Sequence, residues 1–157
     1  MNPLFPPMKN ILPSLLAATV LIAATSAVDH YTTADLTAIK DKISAGHPTF
    51  KSEQLKQYKG HYTMLAHREA TGSSEVHEHE ADLFVIESGE GTIVIGGKLV
   101  KSHVEKPGEL RGTGIEGGEK MHYAPGDIIH IPAGVPHWML MDRGNEVTYF
   151  VMKVSGQ

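Results

Sequence analysis

The 157-residue sequence contains no cysteine. Disulfide staples, thiolate metal ligands and a cysteine nucleophile are therefore excluded. A lipobox anchor is excluded too, since it needs that residue. No run is rich in lysine or arginine, and the net charge is −4. A phosphate backbone is bound by a basic patch, so the composition argues against nucleic acid as a partner. No tandem repeat or low-complexity tract is present. No arginine pair precedes the apolar segment near the N-terminus, which argues against twin-arginine export.

What is present is ordinary apolar content with 16 glycines and 9 prolines. That balance suits a turn-rich β protein better than a helical bundle, and the length suits one domain with a real core. Residues 1–27 read as a secretory signal. Lys9 is their only charged residue, Ile11 to Ala27 are almost wholly apolar or small, and Thr25-Ser26-Ala27 offers a cleavage site. Met8-Lys9-Asn10 is the more ordinary start for such a segment. The apolar run is about 17 residues, at the short limit for a bilayer span, and Pro13 interrupts it. The reading is therefore a cleaved signal with no stable membrane span afterwards, and a periplasmic or secreted protein.

Residues 28–55 read as an N-terminal helical arm. Thr33 caps an amphipathic helix in which Leu36, Ile39 and Ile43 share a stripe, and Gly46-His47-Pro48 ends it. From His61 the pattern becomes one of strands. They run over Tyr62–Glu69, Val76–His79, Asp82–Glu87, Thr92–Ile95, Lys98–Val104, Met121–Tyr123, Ile128–Ile131, Trp138–Met141 and Glu146–Lys153. Gly96-Gly97 is a hairpin signal. Glu105 to Lys120 reads as a polar, glycine-rich connection, with Gly112 to Gly118 a flexible lid or a plain loop. Many short strands with turns between them indicate an all-β, antiparallel sandwich or barrel over residues 56–157.

Two histidine-bearing segments carry the chemistry. The first is Val76-His77-Glu78-His79-Glu80-Ala81-Asp82. The second is Gly126-Asp127-Ile128-Ile129-His130-Ile131-Pro132-Ala133-Gly134-Val135-Pro136-His137. Alternate residues of a strand share a face, so His77 and His79 can reach one ion together, with His137 approaching from a neighbouring strand. Three neutral imidazoles and a carboxylate suit Fe, Mn, Ni, Cu or Zn.

These segments resemble the two motifs of the cupins, small double-stranded β-helix barrels. Gly126, Pro132, Gly134 and His137 match the second motif at every spacing, with Met141 where the family has Asn. In the first motif His77 and His79 match the His-x-His pair. Counting back from Gly89 puts Asp82 where the family has Glu, though closer to His79 than the family spacing. The resemblance covers about residues 62 to 152 and implies a jelly-roll-like barrel, a divalent metal on His77, His79, Asp82 and His137, and a homodimer paired through a sheet or the arm. It also implies a metal-dependent enzyme, oxygenase-like, acting on a small organic molecule, with Glu80, His130 or Asp82 as base. The alternatives are a non-catalytic module that binds a small ligand or a metal, and an empty structural barrel. Export favours Zn or Cu as occupant, because raw affinity rises toward Cu. His122 and His130 are read mainly as structural, and Arg68 as an outward ion pair rather than a group facing the lumen.

Overall fold

The computed structural model describes residues 28–156; the segment read as a signal lies outside the described residues. One helix precedes thirteen strands: α1 (Thr33–Ser44), β1 (Phe50–Tyr58), β2 (His61–Arg68), β3 (Ser74–His77), β4 (Glu80–Ser88), β5 (Gly91–Ile95), β6 (Lys98–Val100), β7 (His103–Lys106), β8 (Glu109–Gly112), β9 (Gly114–Glu116), β10 (Glu119–Tyr123), β11 (Ile128–Ile131), β12 (His137–Leu140) and β13 (Val147–Ser155).

Two antiparallel sheets form the barrel. One has the order β1-β2-β13-β4-β11 and the other β10-β5-β12-β3-β8-β7, with β6-β9 a small third sheet. Apart from the hairpin pairs β1-β2 and β7-β8, neighbours in the two sheets are not consecutive in sequence, as when β13 pairs with both β2 and β4. Strand alternation decides which side chains enter the lumen. On β2, Tyr62, Met64, Ala66 and Arg68 line the central cavity, while Leu65 and His67 are buried on the opposite face. Phe84, Ile86, Ile93, Tyr123, Ile131, Met139 and Tyr149 are among the residues that fill the core from both sheets.

The helix cap is Thr32, one residue before the expected Thr33. Its hydroxyl accepts from the Asp35 backbone N–H, and its own N–H donates to the Asp35 carboxylate at 2.8 Å. This reciprocal pairing needs an acceptor three residues on, which Thr32 finds and Thr33 does not. The apolar stripe is as expected, with Ile43 fully buried and α1 lying against β1 and β2.

Three expectations are corrected. Strands begin at Phe50, so the end of the arm is an edge strand of the first sheet. Its sequence is mostly polar because its side chains are largely exposed, and the alternation that marks a strand is therefore faint. The glycine-rich stretch is not a loose connection either. It contains β8, paired with β3, and β9, paired with β6. Gly96-Gly97 does form a tight turn, with both residues at positive φ, but it closes no hairpin: β5 pairs with β10 and β12, while β6 leaves that sheet and pairs with β9.

Candidate metal centre

Three strands from two facing sheets meet at one end of a cavity of about 600 Å³. On β3, Glu75 and His77 are two residues apart and share a face. On β12, His137 is the direct cross-strand partner of Glu75. From the opposite sheet, β4 supplies Asp82, whose partner on β13 is Lys153. Ligand atoms of Glu75, His77 and His137 all lie within 4.8 Å of one another. Asp82 Oδ2 lies 3.5 Å from both His77 Nε2 and His137 Nε2.

Each ring is aimed by local structure. His137 Nδ1 lies 3.1 Å from the Val135 carbonyl. A carbonyl only accepts, so Nδ1 carries the proton and Nε2 keeps its lone pair. The Pro132–Gly134 turn places that carbonyl, and the Gly134 N–H donates to the carbonyl of His77, tying the turn to the end of β3. His77 has Glu109 of β8 beside its Nδ1 at 3.7 Å, because Glu109 and His77 are cross-strand partners.

The Nε2 atoms of His77 and His137 are buried and have no hydrogen-bond partner among the described residues. Unpaired buried polar atoms are costly, and such orphans call for a missing partner. The carboxylates are divided in a complementary way. Glu75 Oε2 and Asp82 Oδ1 take the cations Arg111 and Lys153, the second at 2.6 Å. Glu75 Oε1 lies 3.4 Å from His137 Nε2 and Asp82 Oδ2 3.5 Å from both rings, while Glu75 Oε2 is shared between Arg111 and His77 Nε2, 3.5 Å away. One atom from each of four side chains is thus left pointing inward, while the cations orient the outer oxygens, as outer-shell groups do around a metal. Glu75, His77 and His137 form the compact set, with Asp82 reaching both rings, and two imidazoles with carboxylates suit a divalent transition ion.

Electrostatics favour the ligating forms of His77 and Glu75. Burial, and then the Lys153 ammonium, pull the His77 imidazole below its usual range against the opposing pull of Glu75 and Asp82. Burial alone would raise the Glu75 carboxyl. Arg111 opposes that and lowers the group, and the His137 and His77 rings add to it whenever they are protonated in the absence of metal. Burial likewise works against Glu109, whose carboxyl Lys106 and Arg111 nonetheless lower. Tyr62, on the cavity wall, is pushed up to about 12 by burial and by Glu80, Asp82 and Glu109. Its phenol stays protonated at neutral pH and can donate.

Of the four residues singled out in the sequence, the structure brings together His77, Asp82 and His137. It sets His79 apart. β3 ends at His77, and His79 lies in the bend beyond it, exposed, lining a smaller adjoining cavity with Glu80 and Lys106. Glu75 stands in its place. The signal for Glu75 lies in the spacing: counting back from Asp82 at the family's own interval reaches His77, then Glu75. His122 and His130 are exposed, in keeping with their structural reading, and Glu80 bonds Ser155 away from the cluster. Arg68 is no outward ion pair; it is buried and lines the cavity.

The architecture is the double-stranded β-helix, and the chain has the cupin fold. It resembles a conserved protein with a double-stranded β-helix domain from Klebsiella pneumoniae (15% identity, TM-score 0.54), covering 76% of this chain and 88% of that one. An inferred mannose-6-phosphate isomerase from Ralstonia eutropha is similar at 14% identity and TM-score 0.53, over 82% of this chain and 100% of that one. The cupin domain of Cnp3 from Schizosaccharomyces pombe is similar at 10% identity and TM-score 0.50, over 69% of this chain and 62% of that one. No protein-family model and no curated protein matches the sequence.

Proposed function

We propose that this protein is an exported, metal-dependent enzyme acting on a small organic molecule held in the barrel lumen. The reading is carried by the paired orphan Nε2 atoms of His77 and His137, which face inward-pointing oxygens of Glu75 and Asp82. Those four residues would hold the ion. With two carboxylates the donor set is harder than three imidazoles and one carboxylate, which moves preference from Cu toward Fe, Mn or Zn. Bound there, such an ion would polarise a substrate oxygen or, if redox-active, support oxygenase chemistry.

The chain's own residues supply the rest. Tyr62, on the cavity wall, offers a donor from a phenol that stays neutral. Lys153 and Arg111 hold the carboxylates in orientation. Met64, Phe84 and Val151 give the cavity an apolar wall.

One observation favours a second reading, a ligand-binding barrel without a metal. Each of Glu75, Asp82 and Glu109 already has a cationic partner. Elemental mass spectrometry separates the two. Protein recovered from its export route is compared with a His77→Ala/His137→Ala variant. Near-stoichiometric metal that vanishes in the variant supports the enzyme. No metal in the unaltered protein, and none taken up on soaking, removes it. Fe or Mn would direct assays toward oxygen consumption, Zn toward isomerisation or hydrolysis.

A further inference from the structure

Arg68 ends β2 with its side chain against the large cavity, 7% exposed. Arg111 and Lys153, the other cations of this lumen closest to the cluster, each sit on a carboxylate. Arg68 has none among the described residues. Its Nε is buried without a partner, and Nη1 reaches the Ala70 carbonyl at 3.5 Å, the limit of a hydrogen bond. A guanidinium cannot relieve this by losing its proton, so burying it without a counter-ion is costly.

The surroundings position the group rather than neutralise it. The Phe50 ring lies over it, centroid 4.8 Å from Cζ. Tyr149 is beside it. Gly72 makes room for it, since a Cβ there would fall 2.3 Å from Nη1. A planar fork held between a ring and a bare backbone is suited to bidentate capture of a carboxylate.

We infer that the cavity takes a small organic acid with an apolar body, and that Arg68 is the residue that binds its carboxylate. One guanidinium balances one carboxylate, whereas a phosphate dianion would leave charge unmatched. The apolar body matches Met64, Phe84 and Val151. The inference rests on the lumen being the ligand site, as in the proposed function; capture by Arg68 itself does not require the metal.

The test is calorimetric titration of the full mature protein with benzoate, phenylacetate and hexanoate, their three amides, and inorganic phosphate, each up to about 10 mM. At least one acid is expected to bind about tenfold or more tighter than its amide. That preference should disappear in Arg68→Met, and in Gly72→Ala, which keeps the charge and displaces the guanidinium. The inference is overturned if no acid outperforms its amide, if the preference survives Arg68→Met, or if phosphate binds better than every acid. The comparison of acid with amide on the unaltered protein needs no variant to fold. Metal content is measured on the same samples. An acid preference without metal sinks the enzyme reading and leaves this one standing; metal without an acid preference does the reverse.

Discussion

Glu75→Gln and His79→Ala should separate sharply in their effect on metal-dependent stability. Glu75 offers an oxygen 3.4 Å from His137 Nε2, whereas His79 is exposed beyond the end of β3. An ion that binds the folded state alone stabilises it by RT ln(1 + [M]/Kd), about 2.7 kcal/mol at a hundredfold excess over Kd. For a domain of this size each kcal/mol moves Tm by roughly 3–5 °C, so the unaltered protein should gain about 8–13 °C. Replacing one of four ligands and its charge is expected to weaken the ion about a hundredfold. At the same metal concentration the stabilisation then falls to RT ln 2, about 0.4 kcal/mol, and the gain to about 1–2 °C. His79→Ala should retain the whole gain. Differential scanning calorimetry after chelation, with and without Mn, Fe(II) or Zn, reads both. A Glu75→Gln protein with the full shift, beside a His79→Ala protein that has lost it, would refute the placement of Glu75 in the cluster.

Lys153→Met leaves Asp82 buried with no cation of its own, and should cost about 3 kcal/mol in metal-free protein. Added metal should recover part of that loss, so its shift in denaturant midpoint should exceed that of the unaltered protein; an equal or smaller shift would show that the ion does not compensate Asp82. The His77 imidazole is lowered in the folded state, so below about pH 6.5 the unfolded chain binds a proton that the folded one does not. Stability of the metal-free protein should therefore fall as pH drops below that value and be flat in this respect above it, with a shallower fall in His77→Asn; urea melts across pH 8 to 5 check it. Gly89 has φ +81, and a Cβ there would lie 1.9 Å from the Glu146 carbonyl, while Gly134 has φ +76 and open space. Gly89→Ala should cost about 2–4 kcal/mol and Gly134→Ala about 1, the first for strain and clash, the second for strain alone; equal costs would show that the β4–β13 contact yields.

The strands that a sequence reveals are those with enough buried apolar residues to stand out. β2, β4 and β13 are largely buried, one set of their residues lining the lumen, and they were legible for that reason. β1 was not, since neither of its faces is well covered, and β8 and β9 were hidden by their glycines, of which Gly112 is one whose small size the neighbours require. At Gly112 an added Cβ would meet the Val100 carbonyl at 2.8 Å and Ser74 Oγ at 2.9 Å. Missing β8 also concealed Glu109 and Arg111, which reach the site through cross-strand pairing and through nothing in local sequence.

The same contrast holds within the cluster. His77 and His137 could be named from residue type and spacing. Glu75 could not be named from type, because His79 is the more conspicuous ligand at the same interval on the other side of His77. Geometry decides between them. Two residues of ideal strand span about 6.6 Å, so a shift from 75 to 79 moves a side chain roughly twice that along β3. A cluster whose atoms lie within 4.8 Å cannot admit both ends. β3 pairs with β12 at Glu75 and stops at His77, where the Glu78 N–H turns to the Gly108 carbonyl. The end of a four-residue strand, set by its partners on both sides, therefore selects the carboxylate over the third imidazole, and with it the harder donor set on which the proposed preference for Fe, Mn or Zn rests.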